Sequence, residues 1–475
     1  MKRIQIDAIS WFFIISLLCY SFFIQNGFYV FLPLLTFLVL LYVVQQPYKP
    51  GVFSLFIFQH YLQIAAGVWL CNYLDKDINY DTPSRSIATV ACCIGLAFLM
   101  FPIMYVHNRL PTQTFASLRL SVTRFSSRKV MYAYLISFFV ASFLGSVAFA
   151  FGGLTQVIFS FVKVKWLLFL LFGYQCILKN ENKKLFALFI ALEFFTGFLG
   201  FFSDFKTVIF FLIILGVSLV EKLDFKYLFF VALLGTGLIF FALGWSAIKT
   251  DYRSFLNGGN QTQDVVVERD QAVDKLIDLS KTVNKERLNS SIEGSLDRLQ
   301  YTYHFAKTID RVPDILPFEH GKNWLASIEF TTTPRILNPD KPNYEATVKT
   351  KKYTGIKYAG RAEGVSFSLG YFPDCYIDFG LYGMMLALLA LGTLYAVVYY
   401  YLLRRSSDNI IFNYAAAGAF FMELNALEMD STFLLGRLFA SIVTFVVLIK
   451  FFFPALVKML SIDEPNEEPP VALSI

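Results

Sequence analysis

Twelve apolar segments follow one another along the chain, and all but the short sixth and eighth are roughly long enough to cross a lipid bilayer as a helix. A soluble core could not hide them, because 56% of the 475 residues are hydrophobic and only 16% are charged. The sequence therefore predicts an all-α polytopic membrane protein with about twelve transmembrane helices. The predicted spans are Ala8–Ile24, Phe28–Val44, Val52–Leu70, Ile87–Val106, Val130–Phe151, Val164–Ile177, Leu185–Phe201, Val208–Val220, Tyr227–Ala247, Tyr376–Leu403, Ile410–Leu427 and Phe433–Leu456.

Basic residues gather in alternate connections between these segments. They include Lys2 and Arg3 near the N-terminus, the group from Arg109 to Lys129, and the pair Arg404 and Arg405. The positive-inside rule then places both termini in the cytoplasm and the long polar connection after the ninth span outside. The formal net charge of +6 thus indicates topology, and no nucleic-acid partner is expected.

The predicted organisation has four parts. Residues 1–247 hold spans one to nine, 248–375 form a large extracytoplasmic loop domain, 376–456 hold spans ten to twelve, and 457–475 form a cytoplasmic tail. Within the loop, Gln261–Asp310 has the pattern of two charged amphipathic helices, and Pro313–Pro342 is expected to be irregular. Arg361–Asp374 is apolar and too short to span, so we expect a re-entrant segment there.

Charged residues near the membrane are the candidate site residues. Lys249 and Arg253 lie four residues apart, hence on one helical face, where they repel each other unless an anion bridges them. A diphosphate would bridge them, and so would the neighbouring Asp251. Arg335 and Lys341 lie in a proline-rich segment suited to holding a ligand. Candidates for accepting a proton are Glu363, Asp374, His304 and His320, in that order.

Other ionisable residues have structural interpretations. Asp75, Asp77 and Asp81 fit a solvated acidic turn better than a metal site, because no calcium-loop pattern completes them. Glu193 and Glu423 fall within predicted spans, where ionisable groups usually face a cavity or a partner such as arginine. The sequence predicts no metal site and no cofactor.

Four pieces of sequence resemble a known family. They are the Ser-Asp-Phe-Lys turn at 203–206, Lys-x-x-Tyr-Arg at 249–253, Pro-Arg-Ile-Leu-x-Pro-x-Lys-Pro at 334–342, and Gly-x-Ser-x-Ser-Leu-Gly at 364–370 followed by Tyr-Ile-Asp-Phe-Gly at 376–380. With the arrangement of spans, they look like bacterial oligosaccharide repeat-unit polymerases of the O-antigen and enterobacterial common antigen type, which are related to O-antigen ligases.

This resemblance implies a metal-independent glycosyltransferase of the GT-C type in the bacterial inner membrane. Such an enzyme joins undecaprenyl-diphosphate-linked oligosaccharide donors and acceptors at the outer face, and a chain-length regulator is a candidate protein partner. By position, the diphosphate would contact Lys206, Arg253, Arg335 and Arg361. Lys206 stands where members of this family often have arginine, so bidentate binding of phosphate is not expected there. The remaining expected substrate-binding residues are Tyr252, Arg298, His304 and Arg437.

Two alternative functions stay open at this point. An O-antigen ligase would share the fold and the donor but transfer the glycan to another acceptor. A flippase or other transporter of lipid-linked oligosaccharides also often has twelve spans, but it usually shows two similar halves, and we find no such repeat.

Overall fold

A computed structural model describes residues 3–148, 154–198, 205–259, 266–333, 338, 340–358, 366–424 and 427–462. Helices dominate it. The N-terminal helices are α1 (Ala8–Phe23), α2 (Gly27–Val44), α3 (Val52–Tyr73), α4 (Arg85–Arg109), α5 (Phe115–Thr123), α6 (Ser127–Val147), α7 (Thr155–Leu178), α8 (Lys183–Thr196), α9 (Lys206–Ser218) and α10 (Phe225–Leu256). Two short parallel strands, β1 (Gln5–Ile6) and β2 (Lys222–Leu223), join the starts of α1 and α10.

The second half of the chain contains a group of shorter helices followed by long ones. They are α11 (Arg269–Lys281), α12 (Lys285–Leu299), α13 (Tyr301–Ile309), α14 (Lys322–Thr332), α15 (Ala346–Thr354), α16 (Tyr371–Arg405), α17 (Ile410–Phe421), α18 (Ser431–Val447) and α19 (Phe453–Leu460). A 3-10 turn (Met422–Leu424) ends α17, and a π-helical turn (Leu448–Phe452) joins α18 to α19.

Short polar side chains fix where several helices begin. Asp224 accepts a hydrogen bond from the backbone N–H of Tyr227 at the start of α10 (2.8 Å), and Asn284 does the same for Arg287 in α12 (2.9 Å). These contacts satisfy N–H groups that have no partner within the first turn of a helix. The polar residues that interrupt the apolar pattern therefore set the helix boundaries.

Seven apolar stretches among the described residues are long enough to cross a membrane. They are α2, α3, α4, α7, α10, α16 and the continuous stretch Ser431–Leu460. α1, α9 and α17 are apolar but shorter. A helix overlaps each of the twelve predicted spans. These lengths are compatible with a multi-pass helical membrane protein, but they do not show the number twelve.

The core of the bundle lies where α4 packs along α16, with α3, α7 and α17 around them. A glycine permits the closest approach, since a Cβ atom added at Gly392 would lie only 2.0 Å from the backbone oxygen of Leu99. In contrast, α10 exposes apolar side chains along most of its length, and its buried residues, Ile248, Tyr252 and Leu256, all lie near its C-terminal end. α10 therefore lies at the periphery of the bundle, where the ring of Phe241 packs against Phe194 and Phe205 and only the C-terminal end of the helix is buried.

The loop region differs from the sequence prediction in two places. The second amphipathic helix is in fact two helices, because Gln300 leaves the helical conformation (φ −76°, ψ 76°) between α12 and α13. The proline-rich segment Pro313–Pro342 is not irregular throughout, because it contains the 11-residue helix α14. Of the predicted re-entrant segment, residues 361–365 lie outside the described part, and the helix α16 already begins at Tyr371.

One backbone break inside α16 orients the loop region. Gly380 has φ 66° and ψ −174°, so the helix is interrupted after Phe379. The preceding segment carries Asp378, whose carboxylate accepts hydrogen bonds from the backbone N–H groups of Asn323 (3.2 Å) and Trp324 (2.8 Å). A side chain of α16 thereby caps the first turn of α14 and holds it against the bundle.

Candidate functional site

Four cations from three helices gather at the end of the bundle that carries the loop helices. Lys206 begins α9, Lys249 and Arg253 lie on the last turns of α10, and Arg298 lies on the last turn of α12. The charges of Arg298, Arg253 and Lys206 all act on the ammonium group of Lys249. We call these four residues the cation cluster.

Packing between α10, α11 and α12 assembles the cation cluster. Ile248, Tyr252 and Leu256 of α10 form a small apolar core with Ala272 and Leu279 of α11. Lys249 and Arg253 each follow directly after a residue of this core, so they lie on the adjacent face of the same helix.

Polar contacts hold α12 against α10. Arg287 pairs with Asp251 (3.2 Å), and the hydroxyl of Ser295 donates to that of Ser246 (3.3 Å). Arg298, one turn further along α12, is thereby brought beside Lys249.

The positive charge of the cation cluster is only partly compensated by the protein. Within the described residues, Lys206, Lys249 and Arg298 form no salt bridge, and the nearby Asp251 is taken by Arg287. Lys206 and Arg298 are exposed, whereas Lys249 and Arg253 are half-buried. Like charges brought together in this way repel one another, and a bound anion with two or more negative charges would relieve that repulsion.

Tyr252 does not contribute a surface group to the cation cluster. Its side chain is fully buried, and its hydroxyl donates to the backbone oxygen of Phe198 (3.4 Å). The aromatic ring of Trp245 lies edge-on to it, with ring centroids 5.7 Å apart. The sequence-based assignment of Tyr252 to substrate binding therefore disagrees with its placement, which is that of a packing residue.

A buried carboxylate and lysine lie where the loop helices meet the bundle. One oxygen of Asp374, at the start of α16, accepts from the ammonium of Lys349 (2.7 Å) and from both the backbone N–H and the hydroxyl of Ser431 (2.8 Å each). Asp374 is fully buried, and its other oxygen, Oδ1, has no hydrogen-bond partner among the described residues. α15, α16 and α18 are joined at this point.

Asp430 and Tyr344 extend this arrangement. The hydroxyl of Tyr344 donates to Asp430 (2.5 Å), whose other oxygen accepts from the backbone N–H of Phe433 (2.9 Å). Burial raises the pKa of Asp430, and the neighbouring carboxylate of Asp374 raises it further. Burial alone would lower the pKa of Lys349, but Asp374 and the other nearby carboxylates outweigh it, so that this pKa is raised. We call Asp374, Lys349, Ser431, Asp430 and Tyr344 the carboxylate–lysine network.

A family model for a domain of unknown function, DUF8712, matches residues 10–454. The chain belongs to the DUF8712 family. No curated protein and no solved structure matches it.

Three of the predicted catalytic residues of this DUF8712 chain, Arg335, Arg361 and Glu363, lie outside the described residues. Their roles stay predictions. Residues 203 and 204 of the Ser-Asp-Phe-Lys turn are also outside the described part, whereas Lys206 is within it.

Two further predicted binding residues have contacts within the loop region. The ammonium of Lys341 donates to the backbone oxygens of Phe330 and of Thr333 (2.8 Å for the latter), and thus lies over the last carbonyls of α14. His304 contacts the hydroxyl of Tyr358 through Nδ1 (2.7 Å). Burial lowers the pKa of His304 to about 4, so its imidazole is neutral at pH 7 and cannot pair with phosphate as a cation.

Arg437 lies on α18, away from the residues of the cation cluster in sequence, and is exposed. Its charge acts on Lys163, which forms a salt bridge with Glu423 (3.3 Å). Glu193 pairs similarly with Lys165 (2.9 Å). The partners of both glutamates of the predicted spans are thus lysines of α7, and not arginines as the sequence favoured.

The acidic turn before α4 is held by an arginine. Arg85 is fully buried and pairs with Asp81 (2.6 Å), and its guanidinium lies 5.0 Å from the ring centroid of Tyr303. Among the described residues, no group of three or more His, Cys, Asp and Glu side chains could hold a metal ion.

Sequence reasoning missed Lys349, Ser431 and Asp430 as a unit with Asp374. The four residues come from three separate helices or their caps, and Asp374 is 25 residues from Lys349 and 57 from Ser431. Lys349 falls in a run of lysines whose other members, Lys351 and Lys352, are exposed. The one local signal was an Asp-Ser-Thr sequence before an apolar run, which is typical of a helix start.

Proposed function

We propose that this protein is a glycosyltransferase that polymerises undecaprenyl-diphosphate-linked oligosaccharide repeat units into a surface polysaccharide. The observation that supports the proposal is the cation cluster, in which Lys206, Lys249, Arg253 and Arg298 lie within electrostatic reach at one end of a membrane bundle. A lipid-linked diphosphate has the negative charge that these cations attract, and its isoprenoid chain is soluble only in the adjoining bilayer.

The proposed chemistry depends on charge at the leaving group. Cleavage of the sugar–phosphate bond transfers the glycan to an acceptor hydroxyl and leaves an additional negative charge on the diphosphate. Fixed cations that contact this diphosphate lower the barrier, because they interact more strongly with the departing group than with the bound donor. The cation cluster would supply this stabilisation, together with Arg335 and Arg361.

Proton removal from the acceptor hydroxyl is assigned to a carboxylate, with Glu363 and Asp374 as the candidates. Asp374 has one oxygen fully engaged by Lys349 and Ser431. Its placement suits a residue that positions the loop helices against the bundle, so the proposal assigns proton removal to Glu363 first.

The proposal includes a topology. Twelve spans would place both termini in the cytoplasm and the loop helices α11 to α15 at the periplasmic or extracellular face of the inner membrane. The distribution of basic residues supports this orientation. The loop helices and the cation cluster would then lie on the side where lipid-linked repeat units are joined.

The test of the proposal removes charge from the cation cluster. Lys249→Gln and Arg298→Gln are combined in a strain that lacks the chromosomal copy, and the surface glycan is resolved on a gel. Loss of one electrostatic contact to the charge that develops in a transition state lowers the rate of the chemical step by about 10²–10³-fold. We therefore expect the double variant to give single repeats and few long chains. Lys285→Gln is the matched control, because Lys285 is an exposed residue of the same helix outside the cluster.

Gel patterns also separate the competing functions. Long chains that remain on the carrier lipid in the variant would instead indicate a ligase. Full-length chains at wild-type amounts in the double variant would refute a role of the cation cluster in glycosyl transfer. Purified protein in liposomes that moves lipid-linked units across the bilayer without joining them would indicate a transporter.

A further inference from the structure

A groove of about 930 Å³ opens at the end of the bundle opposite the cation cluster. α16 begins beside the loop helices and runs through 35 residues to Arg405, where the groove lies. Its walls come from the end of α5, the connection after α16, and α19, and include Arg124, Arg405, Ser406, Asp408 and Lys458.

Backbone contacts fix the walls of this groove. The segment after α5 pairs with the end of α19, since the N–H of Ser126 donates to Leu460 and the N–H of Ile462 donates to Arg124 (2.9 Å each). The amide of Asn409 donates to the backbone oxygen of Ser121 (2.8 Å). The end of α5 is therefore hydrogen-bonded to both of the other elements that bound the groove.

The groove carries two cations that the described protein leaves without a counter-charge. Arg124 pairs with Asp408 (2.5 Å), which balances one positive charge. Arg405 and Lys458 are exposed and form no salt bridge with any described residue. Ser406 is only 3% exposed, and its hydroxyl has no hydrogen-bond partner in the described part of the chain.

Apolar side chains complete the lining. Ile449, Pro454 and Val457 share the groove with these polar groups. The side chains of Phe451 and Phe452, next to it along the same helical stretch, are exposed within the apolar stretch Ser431–Leu460. A ligand that fits this site has an anionic head and apolar chains that continue into the bilayer.

We propose that this basic groove binds the phosphate headgroup of an anionic phospholipid. The phosphate lies between Arg405 and Lys458, and the acyl chains leave along the exposed face that carries Phe451. Basic pockets between helices at the membrane surface are the usual sites for such headgroups. This inference does not depend on the proposed glycosyl transfer, because the groove and the cation cluster are at opposite ends of the bundle.

The chain itself contains the competing occupant. Residues 463–475, which lie outside the described part, follow directly after Ile462 and include Asp463, Glu464, Glu467 and Glu468. Lipid is favoured because the groove joins an exposed apolar surface, which a carboxylate-rich segment does not match. The experiment therefore has an arm for each occupant.

Full-length protein in detergent micelles is titrated with phosphatidylglycerol, and bound lipid is counted by native mass spectrometry. We expect the apparent affinity to fall about fivefold for each charge removed in the double variant Arg405→Gln and Lys458→Gln. Arg404→Gln is the matched control, because Arg404 is an exposed neighbour that lies over Tyr400 and does not line the groove. Arg405→Lys, which keeps the charge, should retain binding and shows that the fold is intact.

Three results would overturn the inference. The first is unchanged phosphatidylglycerol binding in the double variant, and the second is an equal loss in Arg404→Gln. The third is a fivefold or larger gain in the affinity for phosphatidylglycerol when the acidic tail residues are replaced by their amides, since the tail would then be the occupant. These residues are Asp463, Glu464, Glu467 and Glu468. Two results would support a lipid headgroup site. Phosphatidylcholine should bind equally to all variants, and inorganic phosphate should not displace bound phosphatidylglycerol.

Discussion

At the residue scale, the buried ion pair of Asp374 and Lys349 joins the helix α15 to the start of α16. Each partner is nearly inaccessible, with side-chain exposures of 0% and 13%. Two groups of Ser431 share the same carboxylate oxygen, so the charge of Asp374 is offset by one ammonium and two hydrogen bonds. Such a pair adds little net stability relative to apolar residues, but the loss of one partner leaves an uncompensated buried charge.

The first prediction concerns this pair. Lys349→Ala is expected to lower the free energy of unfolding by about 3–5 kcal/mol. The measurement is the apparent Tm in detergent, which should fall accordingly. Lys351→Ala, an exposed change on the same helix, should have little effect. Adding Asp374→Asn to Lys349→Ala should recover part of the loss, because the buried charge is then removed as well. A variant Lys349→Ala as stable as the wild type would contradict the importance of the network.

The second prediction concerns pH and His304. Burial lowers its pKa to about 4 in the folded protein, compared with a value near 6.5 in an unfolded chain. A base with a depressed pKa contributes stability that is present above pH 6.5 and is lost as the pH falls through about 4. His304→Gln should therefore lose less apparent Tm than the wild type between pH 7.5 and pH 4.5.

The exposed His320 provides the control for this measurement. His320→Asn should keep the wild-type pH dependence. If His304→Gln and the wild type lose the same apparent Tm on acidification, other groups govern the effect.

At the element scale, the division of α16 at Gly380 decides how the loop helices attach. The backbone there has φ 66° and ψ −174°, a conformation that residues other than glycine rarely adopt. The break lets the first segment of α16 turn Asp374 and Asp378 toward α15 and α14, while the rest of the helix continues along α4.

The third prediction therefore uses Gly380→Ala. Strain of this kind costs about 1–3 kcal/mol, and the added Cβ atom would also lie 3.3 Å from the ring of Phe318. We expect a lower apparent Tm and faster proteolysis of the loop helices, measured by limited digestion. Gly216→Ala in α9 is the control, since a Cβ atom there meets nothing within 4 Å. Equal protease resistance of the two variants would show that the break does not control loop attachment.

At the scale of the whole molecule, the two ends of the bundle differ in chemistry. The loop helices, the cation cluster and the carboxylate–lysine network lie at one end, and the basic groove lies at the other. The cation cluster can bind lipid-linked glycans only if its end of the bundle faces away from the cytoplasm. The membrane topology is therefore the property to measure at this scale.

The fourth prediction is that an impermeant maleimide labels spheroplasts at Asp278→Cys in α11 but not at Lys183→Cys, the first residue of α8. Both positions are exposed, and permeabilised membranes should be labelled at both. Background is low in a Cys19→Ser parent, because the other five native cysteines are buried. The reverse pattern would place the cation cluster in the cytoplasm and exclude the proposed polymerase.

The sequence by itself determined the class of the protein and the local part of the cation cluster. A long apolar segment indicates a membrane helix, because a helix must be about 20 apolar residues long to cross a bilayer. The four-residue spacing of Lys249 and Arg253 places them on one helical face. Only the tertiary structure shows that Arg298 lies near Lys249 and Arg253, that Tyr252 is buried, and that Lys349 pairs with Asp374. The physical reason is that helical periodicity is a property of neighbouring residues, whereas contacts between helices depend on how complete surfaces pack.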